Sequence, residues 1–426
     1  MKKPLVLHNG MRVHLLPSSG TQAATVLVLV KVGSRYEHPQ INGASHFIEH
    51  LMFKGTKRRP TTLHISRDLD AVGAEYNAFT GKEYTGYYVT IEASQLPLAV
   101  DLLHDMMFHS KYEPREMNRE RRVIIEEIKM YNENPVMHVE ELLEQTMFDG
   151  SPLGWDIAGD AKRMLSMTRR DVIRYRDQHY LPSRIVIALA GRVDHKALAL
   201  VKKTFGRVSG RQAHSAFQTF EGTQGTLASR CRIQNKKLEQ IQLALGFPSY
   251  GTADKRNAAV SLLATILGGT MSSRLFISVR ERKGLCYHVR TENGTYDDTG
   301  AFLIRSGLDQ ARLKDAVKTI LAEVEKIKKA GITARELREA KEHYRGRTLL
   351  KLEESSARAD WYARQELLLD RALTPEERMH EMDAVTRSEV QKAAQDILDL
   401  RKMSVAAIGP FKDAQAFLQV AGLSRP

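Results

Sequence analysis

His46 and His50 stand four residues apart in the segment Asn42-Gly-Ala-Ser-His46-Phe-Ile-Glu49-His50-Leu-Met-Phe-Lys-Gly55. On a helix this spacing puts both imidazoles on one face, where they can reach a single metal ion. Glu49 projects toward the same side and is near enough to take a proton from an attacking water. Asn42 is predicted to cap the start of this helix and Gly55 to stop it. Chance occurrences of the pattern His-x-x-Glu-His in a chain of this composition number on the order of 0.04, yet taken alone the five residues leave a substantial share to two unrelated helix histidines, most of which the rest of the chain removes. A metal that activates water needs a third protein ligand and an open position. Carboxylates for it lie in Glu116-Met-Asn-Arg-Glu120-Arg-Arg-Val-Ile-Ile-Glu126-Glu127-Ile-Lys-Met130. Glu120 and Glu127 are two helical turns apart and share a face, whereas Glu126 points about 100° away from Glu127.

The elements that must hold these residues form two imperfect copies of one unit. The β-rich run Thr25–Gly33 is followed by a polar turn and a helix, and Ile241–Phe247 by another turn and a helix from about Lys255 to Leu267. Arg115-Glu116-Met117 opens a long helix, and Arg335-Glu336-Leu337 opens another 220 residues later. Thr333 and Glu336 have the spacing of a capping box. Thr168 precedes the apolar run ending at Gly191 by 23 residues, and Thr386 precedes the one ending at Gly409 by the same 23. These offsets predict a duplicated domain. Periodicity fades where Gly, Ser, Gln and Thr accumulate, which places an N-terminal domain at 1–210, a linker at 211–226 and a C-terminal domain at 227–426. Strand-like runs alternate with helices longer than ten residues, and Asn9-Gly10 signals a hairpin. The expected fold is therefore α/β (α+β), two homologous domains, each a largely antiparallel sheet with helices packed on it. In the second copy Arg347 stands at the offset of Glu127, and the helix Ala258-Ala-Val-Ser-Leu-Leu-Ala264 has neither imidazole nor carboxylate, so one metal site per chain is expected.

Composition narrows the remaining choices. The 426 residues, 42% hydrophobic and 27% charged, are enough for packed cores and speak against wholesale disorder. The net charge is +13, but Lys and Arg are interspersed with acids and no nucleic-acid module accompanies them, so a solvated basic surface is expected and no nucleic-acid partner. The most apolar run, Ala23–Val32, is interrupted by Lys31 and suits a buried strand, not a membrane span. Cys231 and Cys286 are too few for a disulfide framework and fit a reducing compartment, the cytoplasm, or the periplasm if a signal peptide has been removed.

The His46-x-x-Glu49-His50 order is the inverse of the commoner zinc-protease motif. With the acidic helix it resembles the pitrilysin and mitochondrial-processing-peptidase family, in particular its bacterial single-half members. The 76 residues between His50 and Glu127 fit that family's interval to its third ligand, so the resemblance implies zinc held by His46, His50 and Glu127, one ion per chain. It assigns Glu120 a place behind the ligands. Asn77-Ala78-Phe79-Thr80, with Tyr84-Thr85-Gly86-Tyr87 after it, is similar to the edge strand that holds peptide by backbone pairing. Ser272–Phe276 and Arg280–Tyr287 are also family-like, and Arg280 and Tyr287 match a pair that contacts substrate and the developing oxyanion. Gly268-Gly269 is expected to be a hinge or a helix stop and not a phosphate loop, since no Gly-Lys-Ser follows.

The resemblance implies a zinc endopeptidase acting on peptides or unfolded segments, with Glu49 as general base. The chain would be half of a clam-shell, completed as a homodimer or with a homologous partner in a heterodimer. Two rivals stay open: a non-catalytic scaffold or partner subunit, whose kind usually lacks the intact motif, and a basic protein that sequesters peptides without cleaving them.

Overall fold

A computed structural model describes residues 3–210 and 217–423. Among the described residues, eleven strands form two sheets. The first contains β1 (Leu5–Val6), β2 (Arg12–Pro17), β3 (Ala23–Val30), β4 (Glu75–Thr80), β5 (Thr85–Glu92) and β6 (Ile185–Gly191), in the order β1-β2-β6-β3-β5-β4. The second contains β7 (Cys231–Asn235), β8 (Gln240–Ser249), β9 (Cys286–Thr295), β10 (Gly300–Asp309) and β11 (Ser404–Gly409), in the order β7-β11-β8-β10-β9. Apart from β1, the two orders are the same. Each sheet has one parallel pair, β2 with β6 and β7 with β11, and is otherwise antiparallel. β1 and β2 form the hairpin expected at Asn9-Gly10, with Gly10 at φ +92°. β3 lies at the centre of its sheet and is buried along nearly its whole length, which explains why Ala23–Val30 reads as a continuous apolar run.

The repeat marks have a common physical role. Thr168 and Thr386 each close a capping box, with Asp171 and Glu389 respectively, at the start of the helices Arg169–His179 and Arg387–Ile397 that lead into β6 and β11. The box expected at Thr333 and Glu336 also forms, since Glu336 N–H donates to Thr333 Oγ1 at 3.1 Å and Thr333 N–H to Glu336 Oε2 at 2.7 Å.

Packing divides the chain differently from a cut through 211–226. One compact unit comprises Met1–Lys129, Trp155–Gln218 and Thr348–Glu377; the other comprises Met130–Gly154, Thr219–Arg347 and Arg378–Pro426. Residues 211–216 of the expected linker lie outside the described residues. The reason for the difference is that each unit covers one sheet face with a helix from the other half of the sequence. In the first unit, Val26, Val28, Val30 and Ile187 face local helices such as Leu96–His109. The opposite face, with Leu16, Leu27, Leu29, Val186, Ala188 and Ala190, packs on Ala359, Tyr362, Ala363 and Leu367 of the helix Ser355–Leu369. Thr25 Oγ1 and Ser355 Oγ, 2.7 Å apart, join that layer by a buried hydrogen bond. In the second unit, Ala244, Ala301, Ala406 and Ile408 receive Val139, Leu142, Leu143 and Met147 of the helix Pro135–Met147. Alanines on the sheet allow the helix to approach closely and its larger side chains to fill the gap.

Candidate metal centre

Two helices of the first unit build the centre. The helix Ala44–Met52 buries Phe47, Ile48, Leu51 and Met52 in the core and turns His46, Glu49 and His50 outward. Its start is not capped by Asn42 as expected. Gly43 occupies the cap position at φ +99°, and a Cβ there would meet Ala158 O at 2.5 Å, so the turn requires glycine. The free N–H groups of this helix end are met by Glu37, the last residue of the family-like segment Gly33–Glu37 and one to which the sequence assigns no role. Glu37 Oε2 accepts from Gly43 N–H at 2.7 Å, and Oε1 from Ser45 N–H at 2.7 Å. Asn42 instead donates its Nδ2 to Glu37 Oε2 and to Asp156 O, at 3.0 and 2.9 Å. Burial raises the Glu37 pKa, and these hydrogen bonds only partly offset it. A carboxylate at a helix N-terminus also meets the positive end of the helix dipole. The expected stop is present, with the helix ending before Gly55 at φ +115°.

The long helix Pro114–Glu133 presents Glu120 and Glu127 to the histidines. His46 Nε2 and His50 Nε2 are 3.1 Å apart, and Glu127 Oε2 lies 3.7 Å from the first and 3.5 Å from the second. These three residues are the only cluster among the described residues that could hold a metal ion. Tetrahedral zinc with bonds of about 2.0–2.1 Å spaces its ligand atoms by about 3.3–3.4 Å, and the three separations bracket that value, so the residues fit such an ion with small adjustments. Glu126, by contrast, has its side chain 71% exposed and pairs with Lys129 at 2.8 Å, as the helix geometry predicts.

Glu120 lies behind His50, whose Nδ1 is 2.9 Å from Glu120 Oε1 and is thereby held with Nε2 toward the cluster. Lys54, in the turn that follows the helix, pairs with the other oxygen of Glu120 at 2.7 Å. The sequence carries no signal for Lys54, because it lies beyond the helix end and helix spacing does not place it. Burial pulls against a charged Glu120, yet the hydrogen bonds from His50 and Lys54 hold its pKa below the usual carboxylate range. Burial also opposes a charged His50, but Glu120, Glu49 and Glu127 together raise its pKa. His46 is driven the other way, to about 3, by burial and then by the charge of His50. Its imidazole is therefore neutral at pH 7, as a ligand nitrogen must be. Glu49 has its pKa raised by burial, against a hydrogen bond from Thr80.

The remaining predicted residues are placed as follows. Asn77, Ala78 and Phe79 lie on β4, the edge strand of the first sheet, and Asn77 Oδ1 accepts from Ala78 N–H at 2.9 Å. Arg280 and Tyr287 belong to the second unit and lie side by side, with the guanidinium 5.5 Å from the Tyr287 ring centre and 4.6 Å from that of Phe276. Tyr287 is 72% exposed at the start of β9, itself the edge strand of the second sheet. Gly268 and Gly269 end a π-helical turn, Thr265–Gly269, that continues the helix Asn257–Ala264.

Known proteins share this sequence and fold. Residues 12–161 match the family described as Insulinase (Peptidase family M16), and residues 166–344 match the one described as Peptidase M16 inactive domain. A Streptomyces coelicolor protein named as an uncharacterized zinc protease is 36% identical over 96% of this chain and 90% of its own length. The Bacillus subtilis zinc protease YmxG is 33% identical over 96% of this chain and 98% of its own. A probable β subunit of the mitochondrial-processing peptidase of Arabidopsis thaliana is 30% identical over 96% of this chain and 78% of its own. A solved Helicobacter pylori protease superposes with a TM-score of 0.88 at 23% identity, covering 96% of this chain and 99% of that one, which speaks for the fold. Sequence, topology and relatives agree: the chain belongs to the M16 zinc-protease family.

Proposed function

We propose that the chain is a zinc endopeptidase that hydrolyses peptides or unfolded segments. The observation that carries this reading is the convergence of His46 Nε2, His50 Nε2 and Glu127 Oε2 at zinc-ligand separations, with Glu49 on the same helix beside them. A bound zinc ion would supply Lewis acidity, polarising the scissile carbonyl and easing deprotonation of water. Glu49 accepts the proton of the attacking water and returns it to the leaving amine. β4 is the edge strand of its sheet, and at Asn77, Ala78 and Phe79 it would accept an extended chain by backbone pairing, the incoming strand replacing the contact of Ala78 N–H with Asn77 Oδ1. The match to an inactive domain covers residues 166–344, which hold Arg280 and Tyr287, whereas His46, Glu49, His50 and Glu127 all lie outside it. The two free cysteines suit a reducing compartment, and we place the chain in the cytoplasm.

The test is Glu49→Gln, which keeps size and hydrogen bonding but cannot accept a proton. Zinc should stay at about one per chain while turnover of a quenched peptide falls by about 10²–10⁴. Turnover within a few-fold of the parent would reject the reading.

We extend the proposal to a homodimer in which Arg280 and Tyr287 of one subunit serve the metal centre of the other, donating to the developing oxyanion. Glu49→Gln and Arg280→Ala chains, each inactive alone, should regain about a quarter of parental activity per site when co-expressed in equal amounts, because half the dimers are mixed and each has one intact site. No recovery would show that the pair acts within its own chain, or that the subunits do not assemble in this way.

A further inference from the structure

Thr80, the last residue of β4, donates its hydroxyl to Glu49 Oε2 at 2.6 Å. This is the one side-chain hydrogen bond made to Glu49 among the described residues. It has a consequence for the base. The terminal torsion of a glutamate is soft and roughly two-fold, so an untethered carboxylate exchanges its two oxygens freely. With Oε2 held by Thr80, Oε1 is the oxygen that carries no side-chain hydrogen bond and keeps all its acceptor capacity for a proton.

The anchor itself is rigid. Threonine is β-branched and restricted at χ1. Thr80 pairs in register with Thr85 of β5, and the turn beyond it closes with Gly81 N–H on Tyr84 O at 2.9 Å. Alternation along β4 divides the labour. Tyr76 and Ala78 pack on the core side that carries the histidine helix, Phe79 packs on the opposite face, and Thr80 returns to the helix side and reaches Glu49.

We infer that Thr80 is the positioning residue of the general base, fixing which carboxylate oxygen works and tying it to the strand that receives the peptide. The inference rests on the role of Glu49 proposed above. Thr80→Val removes the donor and keeps the shape; Thr80→Ser keeps the donor. With Thr80→Val, kcat should fall by about 10–100-fold while KM stays within about twofold and zinc at about one per chain. Thr80→Ser should recover to within about threefold of the parent. In crystals of the metal-free protein, Glu49 should keep its rotamer in the parent and in Thr80→Ser and leave it in Thr80→Val, a readout that needs no turnover. In the Glu49→Gln background, Thr80→Val should cost nothing further, since the two residues act as one unit.

Several results overturn the inference. Full kcat in Thr80→Val does so, as does a Thr80→Ser variant no better than Thr80→Val. A raised KM at unchanged kcat assigns Thr80 to the strand and not to the base. Retained turnover in Glu49→Gln alone is a different failure: it removes the base reading first, and the role of Thr80 falls with it.

Discussion

The two units order five strands identically, yet they treat the equivalent helices in opposite ways. In the first unit the helix after the central strand is Ala44–Met52, short, ended before Gly55 and carrying His46, Glu49 and His50. In the second it is Asn257–Ala264, apolar on most sides, and it runs on into the π-helical turn Thr265–Gly269. The long helices differ in the same sense. Glu120 and Glu127 have Ala340 and Arg347 at the 220-residue offset, so a carboxylate pair is replaced by a methyl group and a cation. The scaffold therefore does not require a metal. Chemistry resides in a few outward positions on two helices, and changing these leaves the strand order intact.

That contrast can be broken from either side. The largest effect is expected from Glu127→Arg, which gives the first unit the second unit's residue. It replaces an anionic ligand with a cation beside two imidazoles, so zinc measured by atomic absorption should fall from about one per chain to near zero, and peptidase activity with it. The mirror change, Arg347→Glu, should leave zinc content unaltered. Glu120→Gln probes the layer behind the ligands. It weakens the hold on His50 Nδ1 and leaves Lys54 without its anion, and competition with a chelator should show zinc affinity lower by about 10–100-fold. A loss as complete as that of Glu127→Arg would make Glu120 a ligand instead.

The smallest effect belongs to the second unit and to stability. Arg274 grips both oxygens of Glu336, at 2.6 and 2.9 Å, and with the Thr333 cap it pulls the Glu336 pKa down to about 2, against a burial effect of opposite sign. A carboxylate whose pKa is lower when folded binds more protons when unfolded, so its contribution is present above the ordinary value of 4.5 and is lost as the pH falls from there toward 2. Glu336→Gln should remove that part of the acid sensitivity in thermal melts across this window and lower stability slightly near neutrality. The pair is partly solvated, which limits its weight. An unchanged acid limb would show that the ion pair contributes nothing measurable.

Much of this was readable in the residues because the information is local or periodic. The histidine pair, the face shared by Glu120 and Glu127, the Asn9-Gly10 turn and the Thr333–Glu336 box all span eight residues or fewer. The duplication was readable because both copies keep their strand runs and capping threonines. What escaped was set by tertiary placement. Glu37 caps the histidine helix from a separate 3₁₀ turn, and nothing in its neighbours marks it as the acceptor for Gly43 and Ser45. Thr80 meets Glu49 across 31 residues. The helices Pro135–Met147 and Ser355–Leu369 have apolar positions that suit either sheet, and their sequences do not say which one receives them. A linker can be seen in composition; an exchange of helices cannot.

That exchange bears on how the protein is made. The first sheet is complete once Gly191 is synthesised, but the helix that covers Leu27, Leu29, Val186 and Ala190 begins only at Ser355. At about 5–20 residues per second, the ribosome needs roughly 8–30 s to supply the roughly 160 residues between them. For that time a finished sheet carries an apolar face with no cover, while the helix Pro135–Met147 waits for strands not yet translated. Nascent chains halted between these points should bind a hydrophobic-patch chaperone, and release should coincide with emergence of the residues up to Leu369. The metal-bearing half of the gene, expressed alone, would reproduce the same interrupted state permanently.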